Sequence, residues 1–374
     1  MKIIDIITHQ LSCNVETPFT SSRGWWYKTK GALVVEIVTD EGIIGWGDCY
    51  GPAAVSKSVV DTLLKPSIIG LDPFDVEVIW ELLYNKVKDY GLTGMTISGI
   101  SGVDIALWDI MGKALKQPVY RLLGGSRKKI RAYAGGVCMG FKPPPALLEE
   151  AQSFVDKGFT AIKLRMGDTV ENDLARVRAV RKGLGDKIDI AVDINTRYNF
   201  LDLQRALPGY EECRVFWVEE PFAPDAIADY AHFNARTHVP LAGGENHFLR
   251  YQARELLERK AVDVIQPDPA KAGGITETKK IADLAAAFRR AFAPHVGMSA
   301  IDSAACVHLL CAASNALIYE ADGAAFNPFR DDLCADYPKI VDGYIEPNEK
   351  PGLGFEVDES LFEKWPGIAG PCYV

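Results

Sequence analysis

The sequence predicts an α/β protein: a (β/α) barrel of the TIM type, with its first or last unit open to modification, joined to an α+β capping domain. Three observations predict it. From residue 130 on, eight short strand-like segments (IRAYAGG, TAIKLRM, IDIAVDIN, VFWVEEP, PLAGGE, VDVIQPD, AFAPHV and LIYEA) alternate with helical stretches of about ten residues or more. Eight alternations favour a closed parallel barrel over an open sheet. Seven polar residues, Arg165, Asp193, Glu219, Glu245, Asp268, His295 and Glu320, stand 23 to 28 residues apart at the ends of those segments. The chain before residue 130 lacks this rhythm and begins with an antiparallel meander.

Composition narrows the class. A chain of 374 residues allows two domains, or one large barrel with an attachment, and a substantial core. A net charge of −9 and a pI near 5.3 argue against nucleic acid or an anionic membrane as the main partner. No apolar run is long enough to cross a bilayer, and the start, MKIIDIITHQLSC, alternates like a strand without a signal-peptide layout. The eight cysteines are scattered, with no CxxC, so they read as reduced packing residues of a cytoplasmic protein.

Taken in order, residues 2–13 read as a strand. Residues 14–31 are polar and turn-rich, and read as a loop. Its adjacent Trp25, Trp26 and Tyr27 either pack on the protein's own surface or close over a ligand. ALVVEIVTD and IIGWGDCY flank an Asp-Glu-Gly turn and form a hairpin. Residues 55–65, 74–89 and 97–116 have helical periodicity. Asp104 and Asp109 in the last of these read as helix-surface or interdomain contacts. LLGGSRKK is a natural boundary. The expected division is 1–126 for the capping domain and 127–325 for the barrel, with a loop-rich tail, 326–374, returning to the capping domain.

Barrels of this type carry their chemistry at the C-terminal ends of the strands, where the seven polar residues fall. Asp193, Glu219 and Glu245 end three consecutive strands. Carboxylates converging there repel unless protonated or neutralised, and a hard divalent ion with oxygen ligands, Mg²⁺ best of all, relieves them. The period alone does not choose between Glu219 and Glu220. Lys163 and Arg165, two apart on one strand, face the same way. They either hold a substrate carboxylate or neutralise the metal-site acids. Asp268 and His295 end adjacent strands; a carboxylate on one imidazole nitrogen fixes the tautomer and makes His295 a general base. Glu320 hydrogen-bonds substrate or closes the ring, and His247 is within reach of the site. A metal, two cations and a His–Asp base suit removal of a proton next to a carboxylate. A metal-dependent hydrolase on the same barrel would want histidine ligands.

The chain resembles the enolase superfamily, and within it the mandelate racemase subgroup with its acid-sugar dehydratases and cycloisomerases. The resemblance runs nearly end to end, through GWGDCYGP, SGVDIALWDIMGK, LLGG, KLR, DIN, WVEEP, GGEN, QPD, GGITE and PHV. It implies one Mg²⁺ held by Asp193, Glu219 and Glu245, choosing Glu219 over Glu220. It implies an Asp268–His295 dyad, Glu320 as the strand-eight acid, and Asn195 as a polar neighbour of the metal. Residues 15–30 and about 49–54, with Tyr50, become the capping loops that choose the substrate, and homo-oligomers are a family expectation. One position departs. Many members carry a second lysine base where Arg165 stands, and a guanidinium accepts no proton at working pH. Unless Lys163 takes over as the second base, the expected reaction is one-base dehydration of an aldonic or aldaric acid. A lactone cycloisomerase is the alternative, and an acid-binding homologue without activity the reading from another class.

Overall fold

The structure is a computed structural model and describes residues 1–20, 26–297 and 299–370, with the backbone alone at 16–20 and 26–27. Three strands, β1 (Ile3–Thr20), β2 (Trp26–Thr39) and β3 (Ile44–Cys49), form an antiparallel sheet in that order. The β2–β3 turn uses Gly42 at φ 76°, a conformation glycine adopts without strain. Residues 14–20 and 26–31, expected as loop, continue the strands; Phe19 pairs Tyr27 and Thr20 pairs Trp26 beyond a register shift after Asn14. Backbone pairing in a two-stranded ribbon needs no apolar face, so the polar composition concealed it. Trp25 lies outside the described residues, as do the side chains of Trp26 and Tyr27.

Helices α1 (Ala53–Val59) and α2 (Lys65–Ile68) are joined by a π-helical turn over Val60–Leu64. Pro66 follows at once and cannot donate the bond that an α-register needs. Then come α3 (Val76–Val87), α4 (Met95–Leu115) and α5 (Val119–Leu122). α4 lies so close to β3 that a Cβ on Gly47 would fall 1.8 Å from the Gly102 carbonyl. Asp104 and Asp109 are buried, not on a helix surface. Asp104 accepts from the Thr276 N–H of the barrel; Asp109 accepts from Trp46 and Leu353 and pairs with Lys113.

The barrel strands are β4 (Ile130–Gly135), β5 (Ala161–Arg165), β6 (Asp189–Asp193), β7 (Val218–Glu219), β8 (Leu241–Gly243), β9 (Val264–Ile265), β10 (Ala291–Phe292) and β11 (Tyr319–Asp322). Each pairs in parallel with the next up to β10, and β11 pairs in parallel with β4. A parallel bridge from Phe292 to Ala316 closes the ring. Seven helices connect the strands: α6 (Pro144–Asp156), α7 (Val170–Leu184), α8 (Phe200–Glu212), α9 (Ile227–Asn234), α10 (Leu249–Glu258), α11 (Gly274–Ala287) and α12 (Ala300–Ala312). After the eighth strand stands only the short α13 (Pro328–Asp331), so the last unit is the modified one.

The tail adds β12 (Cys334–Ala335), β13 (Tyr344–Ile345), β14 (Glu356–Val357) and α14 (Ser360–Lys364). β13 pairs with the start of β4. Further on, Trp365 accepts from the Ser12 N–H, and Phe362 stacks on His9 at 4.0 Å. The tail thus touches both the barrel and the capping sheet.

Candidate active site

Alternate strand residues point into the barrel, so its interior is layered. Tyr133 and Trp217 meet edge to face at 5.3 Å and fill a floor, for which Ala161, Ala191, Ala242 and Ala293 make room. Two residues further along the same inward faces come Lys163, Asp193, Glu219, Gln266, His295 and Glu320, all buried. The strand period that shapes the floor therefore also sets the site above it.

Lys163 Nζ lies 2.6 Å from Glu219, 2.8 Å from Glu320 and 3.6 Å from Asp193. The other Glu219 oxygen accepts from Trp217 Nε1 at 3.0 Å and Gln266 Nε2 at 2.9 Å. Arg165 pairs with Asp193 and donates twice to the Gly136 carbonyl, at 3.1 and 2.9 Å. His295 lies with Nδ1 2.7 Å from Asp268 and Nε2 3.1 Å from Glu245. Asn246 donates to Glu220 and Glu245, and accepts from Lys271 Nζ at 2.7 Å.

Burial opposes every charge here. It pushes Glu219 up to about 7 despite Lys163. It pushes Glu220 up to about 8, with Glu245 adding to the effect. Burial would lower Lys163, but Glu219 and Glu320 outweigh it and hold the ammonium well above its ordinary range. Burial would lower His295 too; Glu245, the Asp268 hydrogen bond and Glu320 outweigh it and hold the ring at about 10.

The donor set fits a hard divalent ion. Asp193, Glu219, Glu220, Glu245, Asp268 and Glu320 share this region with three cations, Lys163, Arg165 and Lys271, and the His295 ring. Glu220 Oε1 is buried with no hydrogen-bond partner. An excess of buried carboxyl oxygen is what such an ion neutralises. Among the described residues, however, no three His, Cys, Asp or Glu side chains are gathered to hold a metal. Asp193, Glu219 and Glu245 each face a cation instead: Arg165, Lys163 and His295.

The remaining expected residues are placed as follows. Asn195, at φ 47°, donates its N–H to Asp193. Tyr50 sets its ring edge to His295 at 5.9 Å, and Lys271 Nζ lies 4.9 Å over the Tyr50 ring. His247 donates Nε2–H to the Pro224 carbonyl, and burial lowers it to about 4. Glu220 was weighed only as a rival to Glu219, and Gln266, Lys271 and Asn246 were not anticipated at all. Gln266 was findable, because it stands two residues past Val264 on β9, as Glu219 stands two past Trp217. Lys271 and Asn246 lie in loops, where no period marks them.

Comparison with known proteins agrees with this geometry. Residues 3–124 match the mandelate racemase / muconate lactonizing enzyme N-terminal domain, and residues 146–361 the enolase C-terminal domain-like family. The arabinonate dehydratase of Saccharolobus solfataricus is 32% identical over 97% of this chain and 99% of its own. The D-galactarolactone cycloisomerase of Agrobacterium fabrum is 34% identical over 98% and 99%. The crystal structure of an enolase superfamily member from Polaromonas sp. JS666 superposes with a TM-score of 0.96, at 41% identity and 100% coverage of both chains. That of a racemase from Streptomyces coelicolor A3(2), with bound magnesium, superposes at 0.90 and 28% identity over 97% and 99%. Two domain matches that span most of the sequence, and relatives similar along their whole length, leave one assignment: this chain belongs to the enolase superfamily, in its mandelate racemase / muconate lactonizing enzyme branch.

Proposed function

We propose that this protein is a hydro-lyase that dehydrates an aldonic or aldaric sugar acid to a 2-keto-3-deoxy acid, with one Mg²⁺ per chain. The observation that carries the reading is the His295–Asp268 pair in a site whose other basic groups, Lys163 and Arg165, are held as cations. Arg165 accepts no proton at working pH, and His295 is the group whose tautomer a neighbouring carboxylate fixes. Dehydratase relatives at 32–34% identity support the substrate class.

His295 Nδ1–H donates to Asp268, which fixes the tautomer and leaves Nε2 to take the α-proton. The same Nε2–H then protonates the departing β-hydroxyl as water, and the enol ketonises. Lys163 and Arg165 hold the substrate carboxylate, Lys163 while also neutralising Glu219 and Glu320. Glu320 hydrogen-bonds the substrate. Asp193, Glu219 and Glu245 would hold the Mg²⁺, which when bound stabilises negative charge on the substrate's carboxylate oxygens. Asn195, His247, Tyr50, Trp25, Trp26 and Tyr27 shape the rest of the substrate pocket. The same reading takes residues 1–126 and 326–374 as the capping side and 127–325 as the barrel. It places the protein in the cytoplasm, as a homo-oligomer acting on small molecules and not on nucleic acid or membrane. The seven described cysteines, all free and buried, support a reducing compartment; among the described residues no helix is long and apolar enough to cross a membrane. A lactone cycloisomerase, which uses the same base with a ring oxygen as leaving group, is the second reading; the Agrobacterium relative favours it.

A panel of sugar acids and lactones, incubated with Mg²⁺ in D₂O and followed by NMR, separates the two by product. A 2-keto acid is expected; ring opening without water loss selects the cycloisomerase. His295→Asn is expected to lower turnover at least about 1,000-fold while Mg²⁺ still binds. Turnover that survives this substitution removes His295 from its role.

A further inference from the structure

Asp268 and His295 sit on different loops, after β9 and β10. One buried side chain bridges those loops. Asp302, in the first turn of α12, accepts from the Gly297 N–H beyond β10 and, at 3.3 Å, from the Ala270 N–H beyond β9. The Ala270 N–H is shared with Asp268 Oδ1 at 2.8 Å. The packing is tight: a Cβ on Gly297 would lie 2.9 Å from Asp302 Oδ2, 3.1 Å from the Tyr50 ring and 3.5 Å from Asp268 Oδ2.

The bridge reaches the capping sheet. Ser299 accepts from the Asp302 N–H at 3.2 Å, and its hydroxyl donates to Asp48 on β3. Just beyond β3, the Tyr50 N–H donates to the Ala270 carbonyl at 3.0 Å. With the Tyr50 ring against His295, this edge of the capping sheet meets both dyad-bearing loops.

We propose that Asp302 and Asp48 are positioning residues for the His295–Asp268 pair: Asp302 clamps the two loops together, and Asp48, through Ser299, fastens that clamp to the capping sheet. The proposal rests on the reading of His295 as the base. Burial raises Asp48 to about 7 and Asp302 further, with Asp268 adding to both. Asp48 Oδ1 is buried with no hydrogen-bond partner. An amide keeps the one accepting oxygen that Asp48 uses toward Ser299, and one of the two that Asp302 uses.

The test compares Asp302→Ala with Asp302→Asn in the Mg²⁺-loaded protein. Asp302→Ala is expected to lower kcat about 10- to 100-fold with KM within about twofold, as a displacement near 1 Å does. Asp302→Asn, which keeps one of the two accepting oxygens, should recover part of that loss. A second measurement needs no substrate. The low-field proton resonance of the His295 Nδ1–Asp268 bond, assigned by its loss in His295→Asn, should vanish in Asp302→Ala and persist in Asp302→Asn. Wild-type kcat and an intact resonance in Asp302→Ala overturn the proposal, even if Tm falls, because the residue is then merely structural. A wild-type protein inert on every sugar acid sinks the dehydratase reading, and the resonance still decides the clamp. Should Asp302→Ala not fold, Asp48→Ala and Ser299→Ala replace it. They are expected to lower kcat about tenfold and broaden the resonance; no change in either overturns the proposal.

Discussion

Arg165 cannot accept a proton at working pH. It is pinned by Asp193 and by two hydrogen bonds to the Gly136 carbonyl, so its charge is fixed in place as well as in sign. Charge-assisted bonds of this kind are worth about 1.5–3 kcal/mol. Arg165→Met is therefore expected to raise KM for the acid about 10- to 100-fold, with a smaller change in kcat. An unchanged KM in steady-state assays would show that Arg165 serves only Asp193. The departure of this residue from lysine was legible in the sequence, because residue type alone settles whether a group can take a proton. The roles of Asp48 and Asp302 were not legible. An aspartate in a strand or in a first helical turn reads as surface or cap, and only folding brings two such groups against Asp268.

The tail is attached to the rest of the chain through α12. His308 on that helix accepts at Nδ1 from the Tyr120 N–H of α5, and donates from Nε2 to the Leu353 carbonyl of the tail. The Tyr120 bond requires a neutral ring, because an imidazolium has no accepting nitrogen. Burial lowers it from 6.5 to about 4, so the unfolded chain takes up this proton first as pH falls. The stability is complete above about pH 6.5 and is lost progressively toward pH 4, on the order of 3 kcal/mol in all. His308→Gln, which can keep one acceptor and one donor, should flatten the fall in denaturant midpoint across that window. An equally steep fall in the variant assigns the effect to other groups. Element boundaries followed the same divide between local and distant causes. Helices and barrel strands announced themselves by period. The long β1–β2 ribbon did not, since its outer half is polar.

Buried polar contacts at the N-terminus of α11 help to join the capping helices to the barrel. Trp80 Nε1 donates to the Gly273 carbonyl, the Ser101 hydroxyl accepts from the Gly273 N–H, Asp104 accepts from Thr276, and Trp108 donates to the Thr276 hydroxyl. That segment directly follows Asp268 and Lys271. Removing the capping helices would leave these barrel groups unpaired, at about 1–3 kcal/mol each. One cooperative unfolding transition is expected, with far-UV and near-UV circular dichroism coincident in urea. Two separated transitions would show that the parts fold independently. The alternation of strands and helices foretold the barrel; of the interface the sequence offered Asp104 as a helix-surface or interdomain contact, but not the pairings, which join residues 168 to 193 positions apart.

The floor of the barrel has one more consequence. Trp217, one of seven tryptophans, is buried and donates its indole N–H to Glu219, a proposed ligand of the ion. Charge arriving at Glu219 acts directly on an emitting ring shielded from solvent. Filling of the site is therefore expected to change the intrinsic fluorescence of the protein, and a Mg²⁺ titration without substrate or label checks it.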